Sequence, residues 1–314
     1  MFRLAAAALL SALISVVPAR AAEPLTVLLD WYVNPDHAPL VIAKEKGYFA
    51  DEGLDVELVA PSDPSAPPRL IAAGDGDVAV TYQPSLYQQV AEGLPLVRIG
   101  TLVATPLNTL LVLADGPVKE LSDLKGKTVG YAVAGVEDAL LGTMLASAGV
   151  SIDDVELINV NFALSPALLS KKVDAVIGAY RNIELPQLRL QGVDARAFYP
   201  EEHGVPTYDE LIFVAKNDRL DDPRLAAFLR AVERAVMWQT NHPEEAFEVY
   251  ASAHPDLNDE FNREAFAATL RRFALRPAAL DHGRYQQFGA FMKERGLIEE
   301  TVPVNQFAVE LDPH

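Results

Sequence analysis

The stretch that decides the fold runs from Leu28 to Val59: LLDWYVNPDHAPLVIAKEKGYFADEGLDVELV. Its ends read as ordinary α/β core. Pro24 to Leu29 (PLTVLL) forms an apolar strand that leads into it. Pro39 to Ala50 reads as a helix with Leu40, Ala43 and Gly47 on one side, and Gly53 punctuates its end. Leu54 to Ala60 (LDVELVA) alternates apolar and polar residues, as a half-buried strand does. The middle is different, because Trp31-Tyr32-Val33-Asn34-Pro35-Asp36-His37 puts two aromatics, an amide and an imidazole between a strand and a helix. Open α/β sheets bind ligands at the carboxyl ends of their strands. The loop therefore reads as one jaw of a small-molecule cleft.

Outward from this stretch the alternation continues. PSDPSAPPRL turns into a helix that closes at Ala73-Gly74, and Asp77 to Tyr82 (DVAVTY) is a short apolar strand. Strand, helix, strand, helix, strand is the order of a mainly parallel sheet. A second copy follows: a strand entered from Leu124 to Tyr131, a helix from Glu137 to Ala148, a strand from Val155 to Val160, a helix from Ser165 to Lys171 and a strand from Asp174 to Tyr180. Both copies end in a proline-led helix, then Asp, then a buried strand closing on Tyr82 or Tyr180. Two α/β lobes of like topology are expected, with lobe 1 at residues 22–110 and 212–314 and lobe 2 at 111–211. The apolar segments Asn108 to Ala114 and Glu210 to Lys216 are expected as two hinge crossings. From Asp222 onward helical spacing dominates, and Trp238, Phe247, Phe266 and Phe273 read as core covering lobe 1.

Residues 1–21, MFRLAAAALLSALISVVPARA, read as a secretory signal peptide: Arg3, a short apolar run, then Ala19-Arg20-Ala21 for cleavage before Ala22. The apolar run is shorter than a bilayer-spanning helix needs. The formal charge is −18, and losing Arg3 and Arg20 makes it −20, a field that disfavours nucleic acid and anionic lipid as partners. There is no cysteine, hence no disulfide, lipid-modified cysteine, thiolate metal site or cysteine nucleophile. The six histidines show no metal-ligand spacing and no Gly-x-Ser-x-Gly elbow occurs, so no metal, no cofactor and no catalysis are expected.

The residues Leu29-Asp30-Trp31, Asn34, His37, Leu40, Ala43, Gly47-Tyr48-Phe49 and Gly53-Leu54-Asp55-Val56 carry a resemblance, as do Ala73-Gly74, Asp77 to Tyr82, Leu121 to Gly130 and Asp174-Ala175-Val176. Together they resemble periplasmic solute-binding proteins of ABC transporters related to thiamin-pyrimidine synthase. The resemblance covers most of the chain after residue 21 and implies the type II periplasmic-binding fold. The segments LSDLKGKTVG and AKEKGYFADEGLDVEL are shared with sulfonate and nitrate binders and speak to fold alone. The Asp-Trp-x-x-Asn-x-x-His element is narrower, and is similar to members that bind aminopyrimidine precursors of thiamin.

What the resemblance implies is a periplasmic, monomeric receptor that hands a hydroxymethylpyrimidine- or formylaminopyrimidine-type ligand to a permease and its ATPase. A flat aminopyrimidine is held by aromatic faces and by an amide or carboxylate at its edge. Trp31, Tyr82 and Tyr180 are the expected ring sandwich, with Asn34 and Glu184 reading the edge. Tyr32, His37, Tyr131, Glu137 and Asn182 complete the expected site, although Asn34 and His37 can equally cap the following helix. Relatives have a glycine-rich turn where this chain has Tyr131-Ala-Val-Ala-Gly-Val-Glu137, which weakens any case for anion binding there. Arg181 points the other way, since an arginine in the cleft would suit a sulfonate, nitrate or other anion. A different heterocycle such as riboflavin is a further alternative. The synthase branch resembles the chain in fold, but its members carry a cysteine-rich motif that a cysteine-free chain lacks.

Overall fold

The computed structural model describes residues 22–311, with the side chains of residues 136–138 outside the description. The expected signal segment, residues 1–21, lies outside the described residues.

Ten strands form two five-stranded mixed sheets. β1 (Glu23–Leu28), β2 (Leu54–Val59), β3 (Val78–Thr81), β4 (Leu96–Val103) and β10 (Leu211–Lys216) make the first, in the order β2-β1-β3-β10-β4. β5 (Asn108–Leu113), β6 (Thr128–Tyr131), β7 (Glu156–Asn159), β8 (Ala175–Tyr180) and β9 (Ala195–Phe198) make the second, in the order β7-β6-β8-β5-β9. In each, three parallel strands are followed by one antiparallel strand that carries the fifth: β10 in the first sheet and β5 in the second. The repeated strand–helix pattern of the sequence is thus a repeated topology.

The two apolar segments expected to span the gap do not do so. β5, which the expected boundary at residue 110 would have cut, lies wholly in the second sheet, and β10 lies wholly in the first. The chain crosses between sheets in residues 104–107 and 199–210, just before each of these strands. Each pairs on both edges within its own sheet, β5 with β8 and β9 and β10 with β3 and β4, which places both in a sheet interior.

The helix expected over Pro39 to Ala50 is two helices, Ala38–Glu45 and Tyr48–Asp51, because Gly47 takes a left-handed φ of 73° and breaks the ladder. Strand β4 and the helix Gln83–Ala91 carried no clear periodic signal in the sequence, yet β4 is buried at every residue. The C-terminal helices pack on the first sheet as expected. Phe228 of Pro223–Asn241 stacks on Phe49 at 5.6 Å and meets Phe213 of β10 edge-on at 5.1 Å. Phe247, Phe266 and Phe273 are core, whereas Trp238 is only half-buried, lying under the Lys46 ammonium at 3.9 Å and stacked on His242. Its amphipathic ring suits that border between apolar helix faces and solvent.

Candidate functional site

The site is built where the carboxyl ends of the parallel strands of the two sheets face each other. From the first sheet, the chain leaving β1 turns at once into Asp30 and Trp31. Asp30 is 4% exposed, accepts from the Tyr82 hydroxyl at 2.9 Å and pairs with His37 Nε2 at 2.8 Å. His37 Nδ1 accepts from the Asn34 backbone N–H at 3.3 Å, so the imidazole proton sits on Nε2 and is donated to Asp30. Asn34 closes the loop: its Oδ1 accepts from the Asp36 N–H at 2.8 Å and its Nδ2 donates to the Tyr32 carbonyl at 3.1 Å. Asx capping of this kind fixes a loop's exit angle into a helix. Here it holds Trp31 out over the gap.

From the second sheet come the residues after β6 and the end of β8. Together the two sides enclose a cavity of about 600 Å³, including its mouth. Asp30, Trp31, Asn34 and Tyr82 line it from the first side. Asn108, Tyr131 to Val133, Leu164, Ile177, Gly178, Tyr180, Ile183 and Glu184 line it from the second.

Six of the residues singled out in the sequence meet on this wall: Trp31, Asn34, Tyr82, Tyr131, Tyr180 and Glu184. Three others lie elsewhere. Tyr32 is 54% exposed and rests on Phe162, with ring centroids 4.4 Å apart. His37 is fully buried beneath the loop, locked to Asp30, so it orients the site from behind. Asn182 is turned away from the cavity and donates to Asp36 at 2.6 Å and to Thr269 at 2.7 Å. The Glu137 side chain lies outside the description. Arg181 does not reach the cavity; its guanidinium is taken up by both Glu201 oxygens, at 2.6 and 3.0 Å, and by the carbonyls of Leu107 and Asn108.

Sequence reasoning missed Asp30, Asn108, Gly178 and Phe162. Asp30 stood in the quoted motif without a role. Phe162 could have been found by the strand-end rule that found Trp31, since it follows β7 directly. It meets Trp31 edge-on at 4.6 Å and so bridges the two sides at the mouth. Asn108 and Gly178 read as plain strand residues, and only the cross-strand pairing brings them to the cavity.

The electrostatics of the wall are one-sided. Glu184 accepts from the Tyr180 N–H at 2.6 Å. Its carboxyl is nevertheless pushed up to about 7, because burial outweighs the help of backbone amides and Asp36 repels it. The Tyr82 and Tyr180 hydroxyls are held well above their ordinary range, mainly by burial, so both stay neutral. No lysine, arginine or histidine stands among the lining residues. The wall can stack on a flat ring and accept hydrogen bonds from its edge, and it offers an anion no counter-charge.

Residues 34–246 match the family model described as NMT1/THI5 like. The chain belongs to the NMT1/THI5-like family. A Haemophilus influenzae protein assigned by name to thiamine biosynthesis is 51% identical over 94% of this chain and 95% of its own. The formylaminopyrimidine-binding protein of Halalkalibacterium halodurans is 38% identical over 80% of this chain and 78% of its own. At 26% identity, over 90% of each chain, stands a 4-amino-5-hydroxymethyl-2-methylpyrimidine phosphate synthase of Legionella pneumophila. Among solved structures, the alkanesulfonate-binding protein SsuA of Xanthomonas axonopodis pv. citri superposes with a TM-score of 0.72 at 19% identity, covering 92% of this chain and 99% of its own. A Candida albicans protein with the generic periplasmic binding protein fold superposes with a TM-score of 0.74 at 19% identity, covering 92% and 97%. The fold is therefore the periplasmic-binding fold expected from the sequence, with two mixed α/β sheets facing a shared cavity.

Proposed function

We propose that this protein is the substrate-binding component of an ABC importer and captures an aminopyrimidine precursor of thiamin, of the formylamino or hydroxymethyl type, between its two lobes. The observation that carries the reading is the cavity wall itself: Trp31, Tyr82, Tyr131 and Tyr180 beside the carboxylates of Glu184 and Asp30, with no cation. Such a wall suits a flat ring whose exocyclic amine and ring nitrogens need acceptors, and is wrong for a sulfonate or nitrate. The formylaminopyrimidine-binding protein that is 38% identical supports the same ligand class. In this reading Trp31 and Tyr180 stack on the ring while Glu184 and Asn34 meet its edge. The ligand bridges the two sides and favours their closed arrangement.

The lobes would turn about residues 104–107 and 199–210. The protein would act as a periplasmic monomer, exported by its first 21 residues, and deliver the ligand unchanged to a permease and its ATPase. Among the described residues no helix is long and apolar enough to cross a membrane.

Calorimetric titration of residues 22–314 tests the assignment. Formylaminopyrimidine or hydroxymethylpyrimidine should bind with a stoichiometry of one and be recovered unaltered by mass spectrometry, while nitrate and methanesulfonate give no heat. Binding of the anions alone would overturn it, and a changed ligand mass would move the protein to the enzymes.

A further inference from the structure

The strand β8 reads Ala175-Val-Ile-Gly-Ala-Tyr180, and its glycine needs an explanation. A glycine inside a strand gives the sheet no side chain to pack, and marks a bulge or a place where something approaches the backbone closely. Here both hold. Opposite β5, Thr109 pairs with Ala179 and Leu110 with Ile177, which leaves Gly178 as the extra residue of a bulge. Its φ is +94°, and of the positive-φ glycines among the described residues it is the one within a strand. The bulge breaks the alternation of the strand, so Ile177 and Gly178, consecutive in sequence, both reach the cavity wall.

A β-carbon built on Gly178 would meet no atom within 4 Å. Gly130 in β6 is the contrast: there a β-carbon would come within 3.2–3.3 Å of Val160, Val173 and Val176, so packing alone demands glycine. Gly178 lines the cavity, so the open space beside its α-carbon adjoins the site. The position is also held still. Its N–H donates to Asn108 Oδ1 at 3.1 Å, and the Asn108 N–H is itself bound by the buried Glu210 carboxylate at 2.9 Å. Two residues on, Tyr180 supplies the ring that Gly178 leaves room beside.

We infer that Gly178 is the specificity-determining floor of the site, a patch of bare, fixed backbone on which the ligand's ring lies flush, so that the cavity selects planar heteroaromatic rings over puckered or thicker ones. The inference rests on the proposed aminopyrimidine reading and deepens it. The test compares Gly178→Ala with Gly126→Ala. Gly126 has a φ of +71° and also nothing within 4 Å of a built β-carbon, but lies outside the cavity. Both substitutions force alanine to a positive φ and should lower the melting temperature, Gly178→Ala the more because +94° lies farther from the left-handed well. In calorimetry with formylaminopyrimidine, Gly178→Ala should lose about tenfold or more in affinity, the usual cost of one carbon too many in a pocket, while Gly126→Ala matches wild type. Unsubstituted 4-aminopyrimidine should lose least, a change of selectivity that a purely structural role would not produce.

The wild-type protein provides a check that does not depend on the variant folding: a 5,6-dihydropyrimidine with the same substituents should bind about tenfold or more weakly than the aromatic ligand. Equal affinity of Gly178→Ala and Gly126→Ala, or of the dihydro and aromatic ligands, overturns the inference and leaves the proposed function standing. A wild-type protein that binds none of the pyrimidines removes both.

Discussion

Asn182 donates to Asp36 Oδ1 at 2.6 Å, joining the loop after β8 in one sheet to the loop after β1 in the other. Both residues are almost wholly buried, at 2% and 1% exposure, and Thr269 completes the contact by donating to the same oxygen at 2.9 Å. The pair fastens the two sides together behind the cavity. Asn182→Ala would leave the buried carboxylate one partner short, at a cost of about 1–3 kcal/mol. Thermal unfolding should report a loss of several degrees, and small-angle scattering of the unliganded variant should report a larger radius of gyration than wild type. An unchanged melting curve would show that the contact contributes nothing.

Glu184→Gln replaces the one carboxylate that lines the cavity without a side-chain donor among the described contacts. At pH 8, above the value of about 7 to which burial pushes it, Glu184 is charged, and a hydrogen bond to a charged acceptor is worth more than one to an amide, so affinity for formylaminopyrimidine should there fall about tenfold or more. Glu201→Gln, which removes charge from the Arg181 pair outside the cavity, should leave affinity close to wild type. Equal titrations for the two variants would take Glu184 out of the site.

Arg181→Ala separates the cationic reading of the sequence from the structure. The guanidinium holds Glu201 and the carbonyls of Leu107 and Asn108 at the first crossing, and its loss should cost about 1–3 kcal/mol of stability. Pyrimidine affinity should change far less than in Glu184→Gln. A collapse of affinity with stability intact would instead place an anion beside Arg181.

Stability should fall as pH rises from mildly acidic to neutral. Burial pushes Glu184 and Glu210 from 4.5 up to about 7, and Asp36 from 3.8 up to about 6. A carboxyl whose value is raised on folding binds its proton more tightly in the folded state. Its contribution is full below the unfolded value and is lost as pH climbs through the folded one. Between about pH 4 and pH 7 these three groups therefore work against folding as pH increases. Glu210→Gln, which keeps an acceptor for the Leu107 and Asn108 amides, should flatten the decline of melting temperature between pH 5 and pH 8. A parallel decline in wild type and variant would show that Glu210 does not titrate in that range.

Arg98 is fully buried, and its guanidinium reaches the carbonyls of Pro277, Ala278, Ala279 and Val309 as well as the Thr101 hydroxyl. It pins the C-terminal segment to β4. Arg98→Met would strand several buried carbonyls, and a loss of about 3 kcal/mol or more is expected in urea unfolding. Ligand affinity at permissive temperature should persist, because no part of this contact touches the cavity.

The elements legible in the sequence were those with strong local signals. β1, β2 and β3 alternate or run apolar between turn residues, and the four long C-terminal helices repeat their apolar positions at helical spacing. Strand β4 was not legible: it is buried at every residue, including Arg98 and Thr101, so its polar residues masked a strand whose hydrogen-bond partners lie far along the chain. The same holds at the site. Trp31, Tyr82 and Tyr180 could be placed because strand ends are fixed by local pattern, but the direction in which His37, Asn182 and Arg181 point depends on partners distant in sequence.

The sequence by itself determined the doubled strand–helix order, the aromatic loop after the first strand and the absence of cysteine, because each depends on periodicity or composition alone. The tertiary structure decided where the chain crosses between sheets, which of the singled-out residues face the cavity, and that its wall carries carboxylates and no cation. Those depend on register and on partners many residues away: a bulge at Gly178, a capped loop at Asn34, and an arginine whose charge Glu201 takes up before it can reach a ligand.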